Sequence, residues 1–382
     1  MQASSSQSLV VEVCDLVKSH YFRQDPALEQ WHRRCLDFAA EASSKITPHE
    51  LAIRTNAVLE ELKSSHLSIF SPEEDQEIWL GSYKTHGITF LNVDGRFFVQ
   101  RLFESSPAFK LGVRFADELT EVNSQKNLVE LDLNNSEGWF KFKRNEKDFL
   151  VNLVRTEFTA NENPVIEDYN KFSVLVIPSF RKEFFERESL NQLLERLKSL
   201  KKPWVLDLRQ NQGGSVVAML RLASSLFCKP TSIGELNTAT KENFKEIQDD
   251  LRDEFLIQDV NHISKIYLET FVGYSCIQKP KAIWVGSQTM SVSEILVDAL
   301  KNKFKIKILG QRTAGRVVVG VWYSLATWPK GFTLSVPQAN FTNALGNELE
   351  SIGVLPDEVV DYKLIDLVAG KDSFVVVTEK QL

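Results

Sequence analysis

Two short stretches carry residue types that could drive a reaction at a carbonyl. In Gln288-Thr289-Met290-Ser291-Val292-Ser293-Glu294 a serine stands between an apolar strand pattern and a helical one. A serine at a strand-to-helix turn exposes its hydroxyl, and the helix N-terminus favours negative charge developing there. The same spacing has a plainer reading, in which Ser291 caps the helix and Glu294 is the capping-box acid. In Asp207-Leu208-Arg209-Gln210-Asn211-Gln212-Gly213-Gly214 a strand runs into two glycines and then a helix. Backbone N–H groups at such a turn can donate to an oxyanion or to a phosphate. Glycines after strands are also ordinary turn chemistry. The stretch lacks the lysine and spacing of a P-loop and the spacing of a dinucleotide fingerprint.

Those residues need elements to hold them. Up to about residue 80 the chain reads as helical, with Val10, Val13, Leu16 and Val17 on one face. Thr47-Pro48-His49-Glu50 is a helix start, and that helix carries Leu51, Val58, Leu59 and Leu62 before Ser64-Ser65-His66. Pro72-Glu73-Glu74 opens another. From about 84 to 157 short strands take over: Gly87–Leu91 and Arg96–Gln100 flank a turn at Asp94-Gly95. A short helix over Ser105–Gly112 and a strand over Asp117–Asn123 follow. Beyond about 165, strands (Phe172–Ile177, Trp204–Leu208, Ala282–Val285, Phe304–Leu309) alternate with helices (Leu190 to Leu200, Ser215–Phe227, Val292–Asn302). That is the logic of an α/β core. Residues 235–256 are charged and amphipathic, which suggests a surface helix. The chain thus divides into a helical region over 1–80, a β-rich domain over 81–160 and an α/β core over 161–382.

At 382 residues there is length for two or three domains. A formal charge of −6 argues against nucleic acid as a partner. The first seven residues lack a basic n-region and an apolar h-region. They fit a cytosolic protein or a mature exported form with an added start methionine. Cys14 and Cys35 could bridge two helices in an oxidising compartment, whereas Cys228 and Cys276 read as small buried apolar residues. Four inert thiols is the plainer reading. Among the histidines, His49 lies in a capping turn, His20 and His32 on helices, His86 beside Gly87, and His262 in the charged segment. No two share a helix face with a carboxylate at ligand spacing, so no metal and no cofactor are expected. Trp322, Trp328 and Phe332 read as core.

Four motifs in order, DLRQNQGG, TMSVSEILVDAL, ILGQRTAGRVVVGV and ELESIGVLPD, resemble the C-terminal processing (tail-specific) proteases and the related tricorn proteases. SSHLSIFSPEE and the 84–157 segment extend the resemblance to nearly everything after residue 60. It implies a ClpP/crotonase-like α/β serine-peptidase core. Ser291 would be the nucleophile, with Gly213, Gly214 and Val292 as oxyanion donors and Glu294 and Thr313 in support. Tail-specific proteases use a lysine base and a glutamine four residues later. The matching residues here are Arg316 and Gly320, and an arginine with pKa above about 12 cannot act as a base near neutrality. Tricorn-type enzymes use a histidine oriented through polar residues that include a glutamate. His66 after Ser65, and Glu350, resemble those positions. A histidine at this place is also found in the lysine enzymes, where it does no catalysis.

The β-rich segment resembles a PDZ domain of the bacterial protease type, with Ala116 where the pattern has glycine, so a changed turn is expected there. A PDZ fold implies capture of a chain end by β-addition near Gly87 and Ile88. The expected partners are polypeptides, especially their C-terminal tails, with no nucleic acid; a homo-oligomer is left open. Relatives with a PDZ domain mostly act outside the cytoplasm, which favours a periplasmic or otherwise exported protein over a cytoplasmic one. Two functions follow: a serine endopeptidase with a Ser/His/Glu site, or a pseudo-peptidase that kept the fold as a peptide- or ligand-binding module.

Overall fold

A computed structural model describes residues 6–43, 45–129, 131–238 and 265–382. His262 and the charged stretch beyond residue 238 lie outside the described residues, while Glu235–Asn237 are strand rather than surface helix.

Three helices open the chain: α1 (Ser6–His20), α2 (Pro26–Glu41) and α3 (Pro48–Leu59). Both later starts are written locally. Asp25 caps α2 through the Ala27 and Leu28 N–H groups, and Thr47 caps α3 through Glu50 N–H, each with proline at the first turn. Strand β1 (Ser68–Phe70) and helix α4 (Pro72–Leu80) follow. The helices do not close a core among themselves. Val10, Val13, Trp31 and Leu59 pack against Leu334 and Val336 of a strand more than 270 residues away.

Next come β2 (Ser82–Thr85), β3 (Ile88–Val93), β4 (Arg96–Leu102), α5 (Pro107–Lys110), β5 (Glu118–Val122), β6 (Gly138–Arg144), β7 (Lys147–Leu153) and β8 (Thr156–Thr159). Strands β3 to β7 form an antiparallel meander in chain order, around Val99, Leu119, Phe140 and Phe142. Ala116 takes φ 64 and its N–H donates to the Val99 carbonyl at 2.9 Å. The left-handed turn is therefore kept, at a cost of about 1–2 kcal/mol for a residue with a Cβ.

The remainder contains β9 (Val165–Asp168), β10 (Ser173–Val176), α6 (Arg187–Lys198), β11 (Trp204–Asp207), α7 (Val216–Phe227), β12 (Ser232–Asn237), β13 (Lys265–Glu269) and β14 (Ala282–Val285). Then come α8 (Val292–Phe304), β15 (Lys307–Gly310), β16 (Val319–Ser324), β17 (Thr333–Asn343), β18 (Glu358–Val359), α9 (Leu364–Val368) and α10 (Ser373–Gln381). Strands β18-β15-β14-β11-β10 are parallel neighbours, with β9 antiparallel on the β10 edge. Helices α6, α7 and α8 cover one face through Leu194, Leu222 and Leu296; α10 covers the other through Phe374, which packs with Trp284. Burial on both faces explains why these strands read as continuous apolar runs. A second sheet, β1-β17-β12-β13 with β16 also on β17, lies across α7 and α8. Helix α8 runs two residues further than expected, and Lys305 ends it at φ 55.

The cysteines are paired, so the reading of four inert thiols does not hold, whereas the bridge between Cys14 and Cys35 does. Cys14 and Cys35 form a disulfide between α1 and α2, with Cα atoms 5.9 Å apart. Cys228 and Cys276 are not buried thiols: both are exposed and joined to each other, with Cα atoms 5.1 Å apart.

Candidate active site

Parallel strands deliver their C-terminal ends to one edge of the sheet, and β11 and β14 are neighbours there. After β11, Arg209 fixes the start of the turn. Its guanidinium bonds Asp207 at 2.6 Å, Asp372 at 2.7 Å and the Tyr362 hydroxyl at 2.8 Å. Asn211, fully buried, then binds the two turns together. Its Oδ1 accepts from Gly213 N–H at 2.8 Å and from the Ser293 hydroxyl at 2.7 Å, while its carbonyl accepts from Met290 N–H at 3.1 Å. Gly213 takes φ 103, and a Cβ there would lie 2.6 Å from Ser291 Cβ. Gly214 takes φ 135 and packs on the Phe180 carbonyl. The glycine pair is needed for close approach as well as for the turn.

After β14, Thr289 accepts from Gly286 N–H at 3.0 Å and donates to the Leu208 carbonyl at 2.7 Å, tying the serine turn to the glycine turn. Ser291 stands at the start of α8 with φ 60 and ψ −132, a strained backbone for a residue with a Cβ. The Glu294 N–H donates to the Ser291 carbonyl at 2.9 Å. Ser291 N–H donates back to Glu294 Oε2 at 3.2 Å, as in a capping box.

Glu294 is fully buried and accepts also from the Thr313 hydroxyl at 2.5 Å, Gly315 N–H at 2.8 Å and Arg316 N–H at 2.9 Å. Burial pushes its carboxyl up, against the pull of these donors. Its work is to hold the 313–316 strap against the serine turn. The Arg316 carbonyl completes the clamp by accepting Ser291 N–H at 2.9 Å.

Two residues on, the same strap meets a second carboxylate. Glu350 Oε2 accepts Val317 N–H at 2.8 Å, Val318 N–H at 3.2 Å and the Ser65 hydroxyl at 3.0 Å; its Oε1 accepts Ser65 N–H at 2.9 Å. Ser65 Oγ lies 3.0 Å from His66 Nδ1. A hydroxyl has one proton, and this one goes to the carboxylate. Oγ must then accept from Nδ1–H, which leaves Nε2 of the neutral ring without a proton and with its lone pair available. The pKa of His66 is lowered to about 4, by burial first; the Arg316 cation lowers it further and Glu350 opposes both. The residue as a whole is half-buried, and the protein around the imidazole replaces much of its water.

Gly320 explains how His66 fits. A Cβ there would lie 2.5 Å from the Ser335 hydroxyl and 3.1 Å from His66 Cβ.

Among the expected residues, hydrogen bonds join Ser291, Glu294, Thr313 and Arg316 in one group and His66 and Glu350 in another. Residues 315–318 connect the groups. No hydrogen bond between His66 and Ser291 is formed. Of the expected oxyanion donors, Gly213 N–H is spent on Asn211, whereas those of Gly214 and Val292 make no hydrogen bond with a described residue. Gly87 and Ile88 lie apart, in the meander. Gly87 N–H donates to the Thr85 hydroxyl at 3.0 Å. Phe103 N–H bonds the Gly87 carbonyl at 3.1 Å, so by antiparallel alternation Ile88, opposite Leu102, turns its N–H to the open edge of β3.

Sequence reasoning missed Ser65, Asn211, Thr289 and Ser293 as positioning residues. Ser65 had a signal in its adjacency to His66; the others had none beyond lying in the motifs. The remaining described histidines are structural or peripheral. His86 is buried against Phe140, His20 packs at a tilt on Tyr323, His32 pairs with Asp15 and His49 is exposed. Trp328 and Phe332 are buried as expected, while Trp322 is half-buried between Phe70 and Trp79.

Comparison with known proteins agrees with this architecture. The carboxyl-terminal-processing protease of Picosynechococcus is 25% identical over 222 residues, covering 57% of this chain and 47% of the relative. The carboxy-terminal processing protease CtpA of Bacillus subtilis is 21% identical over 294 residues, covering 74% and 57%. The chain spans about half the length of the curated relatives it matches. Three solved structures share the fold at low identity. The photosystem II D1 C-terminal processing protease has a TM-score of 0.55 at 17% identity, covering 98% of this chain and 97% of that one. Mature CPAF complexed with lactacystin has 0.61 at 14%, covering 98% and 97%. The tricorn protease has 0.52 at 14%, covering 99% of this chain and 37% of that one. Residues 171–360 match the model of peptidase family S41; since they carry both glycines, the serine turn and Glu350, the core of this chain belongs to that family.

Proposed function

We propose that the chain is a serine endopeptidase that cleaves unfolded or C-terminally exposed polypeptides through Ser291, with His66 as base. The observation that carries this reading is the Glu350–Ser65–His66 relay, whose proton count leaves Nε2 as an acceptor. In the reaction Ser291 Oγ attacks the peptide carbonyl, its proton passing to Nε2. The carbonyl oxygen gains charge beside the N–H groups of Gly214 and Val292. His66 then protonates the departing amine, leaving an acyl-enzyme that water hydrolyses by the same route. Ser65 and Glu350 hold the ring and its tautomer and stabilise the imidazolium. Glu294 and Thr313 hold the turn that presents Ser291, and Arg316 needs no basic role. The N–H of Ile88 at the β3 edge suits the addition of a substrate strand. Two cysteine pairs fit an exported protein better than a reducing cytosol.

A serine-directed phosphonate tests the chemistry. Covalent labelling of Ser291, lost in Ser291→Ala together with cleavage of a denatured substrate, is the expected result. Cleavage by Ser291→Ala would refute the assignment. The second reading, a pseudo-peptidase that binds peptide without cutting it, draws on one observation: no hydrogen bond joins His66 to Ser291. Catalytic contacts of this kind commonly tighten only when substrate is bound. A wild-type protein that binds peptide and never labels would establish that reading.

A further inference from the structure

Arg316 stands on the strap beside the serine turn, its N–H bonded to Glu294 and its carbonyl to Ser291 N–H. Those two bonds pin its Cα next to Ser291 and turn its side chain to solvent. The guanidinium makes no hydrogen bond and no ion pair with a described residue. An arginine kept for structure spends its donors, as Arg209 does on Asp207, Asp372 and Tyr362. The carboxylates near Arg316 have nothing to give it, since Glu294 and Glu350 each accept four protein donors already. A planar fork of N–H donors is thus left open on the strap beside the serine turn, close enough for its charge to act on His66.

We propose that Arg316 is a carboxylate-binding subsite, which selects peptides carrying a carboxylate within a residue or two of the bond presented to Ser291. A guanidinium takes a carboxylate bidentately and only weakly replaces it with a neutral group. The carboxylate is either the free end of the chain or an Asp/Glu side chain. Its arrival also neutralises the cation that disfavours protonated His66, so binding eases the proton transfer the base must make. The inference rests on the peptidase reading for the ligand being a peptide.

The test uses Ser291→Ala protein and three fluorescent peptides of one sequence: a neutral C-terminal amide, the free acid, and an amide with one internal Glu. At least one acidic peptide is expected to bind about tenfold more tightly than the neutral amide. Arg316→Gln should erase the preference and Arg316→Lys should keep part of it, with folding checked by circular dichroism. The arm that responds identifies the source of the carboxylate. Equal binding of all three peptides, no binding of any by folded protein, or a preference that survives Arg316→Gln overturns the proposal. Phosphonate labelling of the wild type separates the two failures. A preference without labelling sinks the peptidase alone, and labelling without a preference sinks the subsite alone.

Discussion

At neutral pH the His66 ring is uncharged because burial has replaced its water and Arg316 adds repulsion; Glu350 only partly offsets these. A base must be neutral to work, so the phosphonate labelling rate should stay flat as pH falls to about 5 and drop by half near pH 4. Arg316→Gln removes a cation and should move this limb to higher pH; Glu350→Gln removes an anion and should move it lower. A limb at pH 6–7 in the wild type would contradict the burial of the ring. The same shift links to folding: the unfolded chain takes up a proton at higher pH than the folded one. Stability should therefore be full above about pH 6.5 and decline towards pH 4, visible as a falling urea midpoint. Ser65→Ala frees the ring from its partner and should slow labelling by up to ~10²-fold, with partial recovery in Ser65→Thr. An unchanged rate would remove Ser65 from the relay.

At the scale of elements, two strand-to-helix turns must be held in register, and buried polar bonds do it. Asn211→Ala would strand the Gly213 N–H and the Ser293 hydroxyl, each in a dry environment. The expected loss is about 2–4 kcal/mol in urea unfolding, with labelling of Ser291 impaired as well. In Gly214→Ala the new methyl would meet the Phe180 carbonyl oxygen at 2.5 Å at a φ of 135. Backbone cannot rotate away as a side chain can, so a comparable loss is expected by the same measurement. These turns were legible as strand–glycine–helix and strand–serine–helix patterns. Their coupling was not, because nothing local to Asn211 says that its side chain reaches a residue 82 positions on.

For the whole molecule, the site draws on both ends of the chain. His66 lies outside the 171–360 family segment and is positioned by the N-terminal helices packed on β16 and β17. Loosening those helices should therefore be felt at Ser291. The Cys14–Cys35 disulfide closes a sequence separation of 21 residues, which predicts a loss of about 3 kcal/mol on its removal. The Cys14→Ala/Cys35→Ala protein should melt earlier and label more slowly near its transition, while behaving as wild type well below it. Identical melting would show that the bond contributes little beyond the packing of Val13 and Trp31.

By itself the sequence determined what depends on local chemistry and pattern: the α/β alternation, the capped helix starts, the serine at a helix entry and the glycine pair before another. Order along the chain was enough to bring Ser291, Glu294 and Thr313 to one region, and the family resemblance set Arg316 at the position of the lysine base of the tail-specific proteases. Tertiary structure decided what depends on distant groups meeting. It chose the Ser65 tautomer relay to Glu350 across 285 residues, spent the Gly213 N–H on Asn211, paired Cys228 with Cys276, and lowered the His66 pKa to about 4. Burial and hydrogen-bond satisfaction are properties of the packed chain, and no residue carries them alone. Ser291 shows the division: its place was written in a seven-residue motif, and its backbone of φ 60 was set by the packed turn.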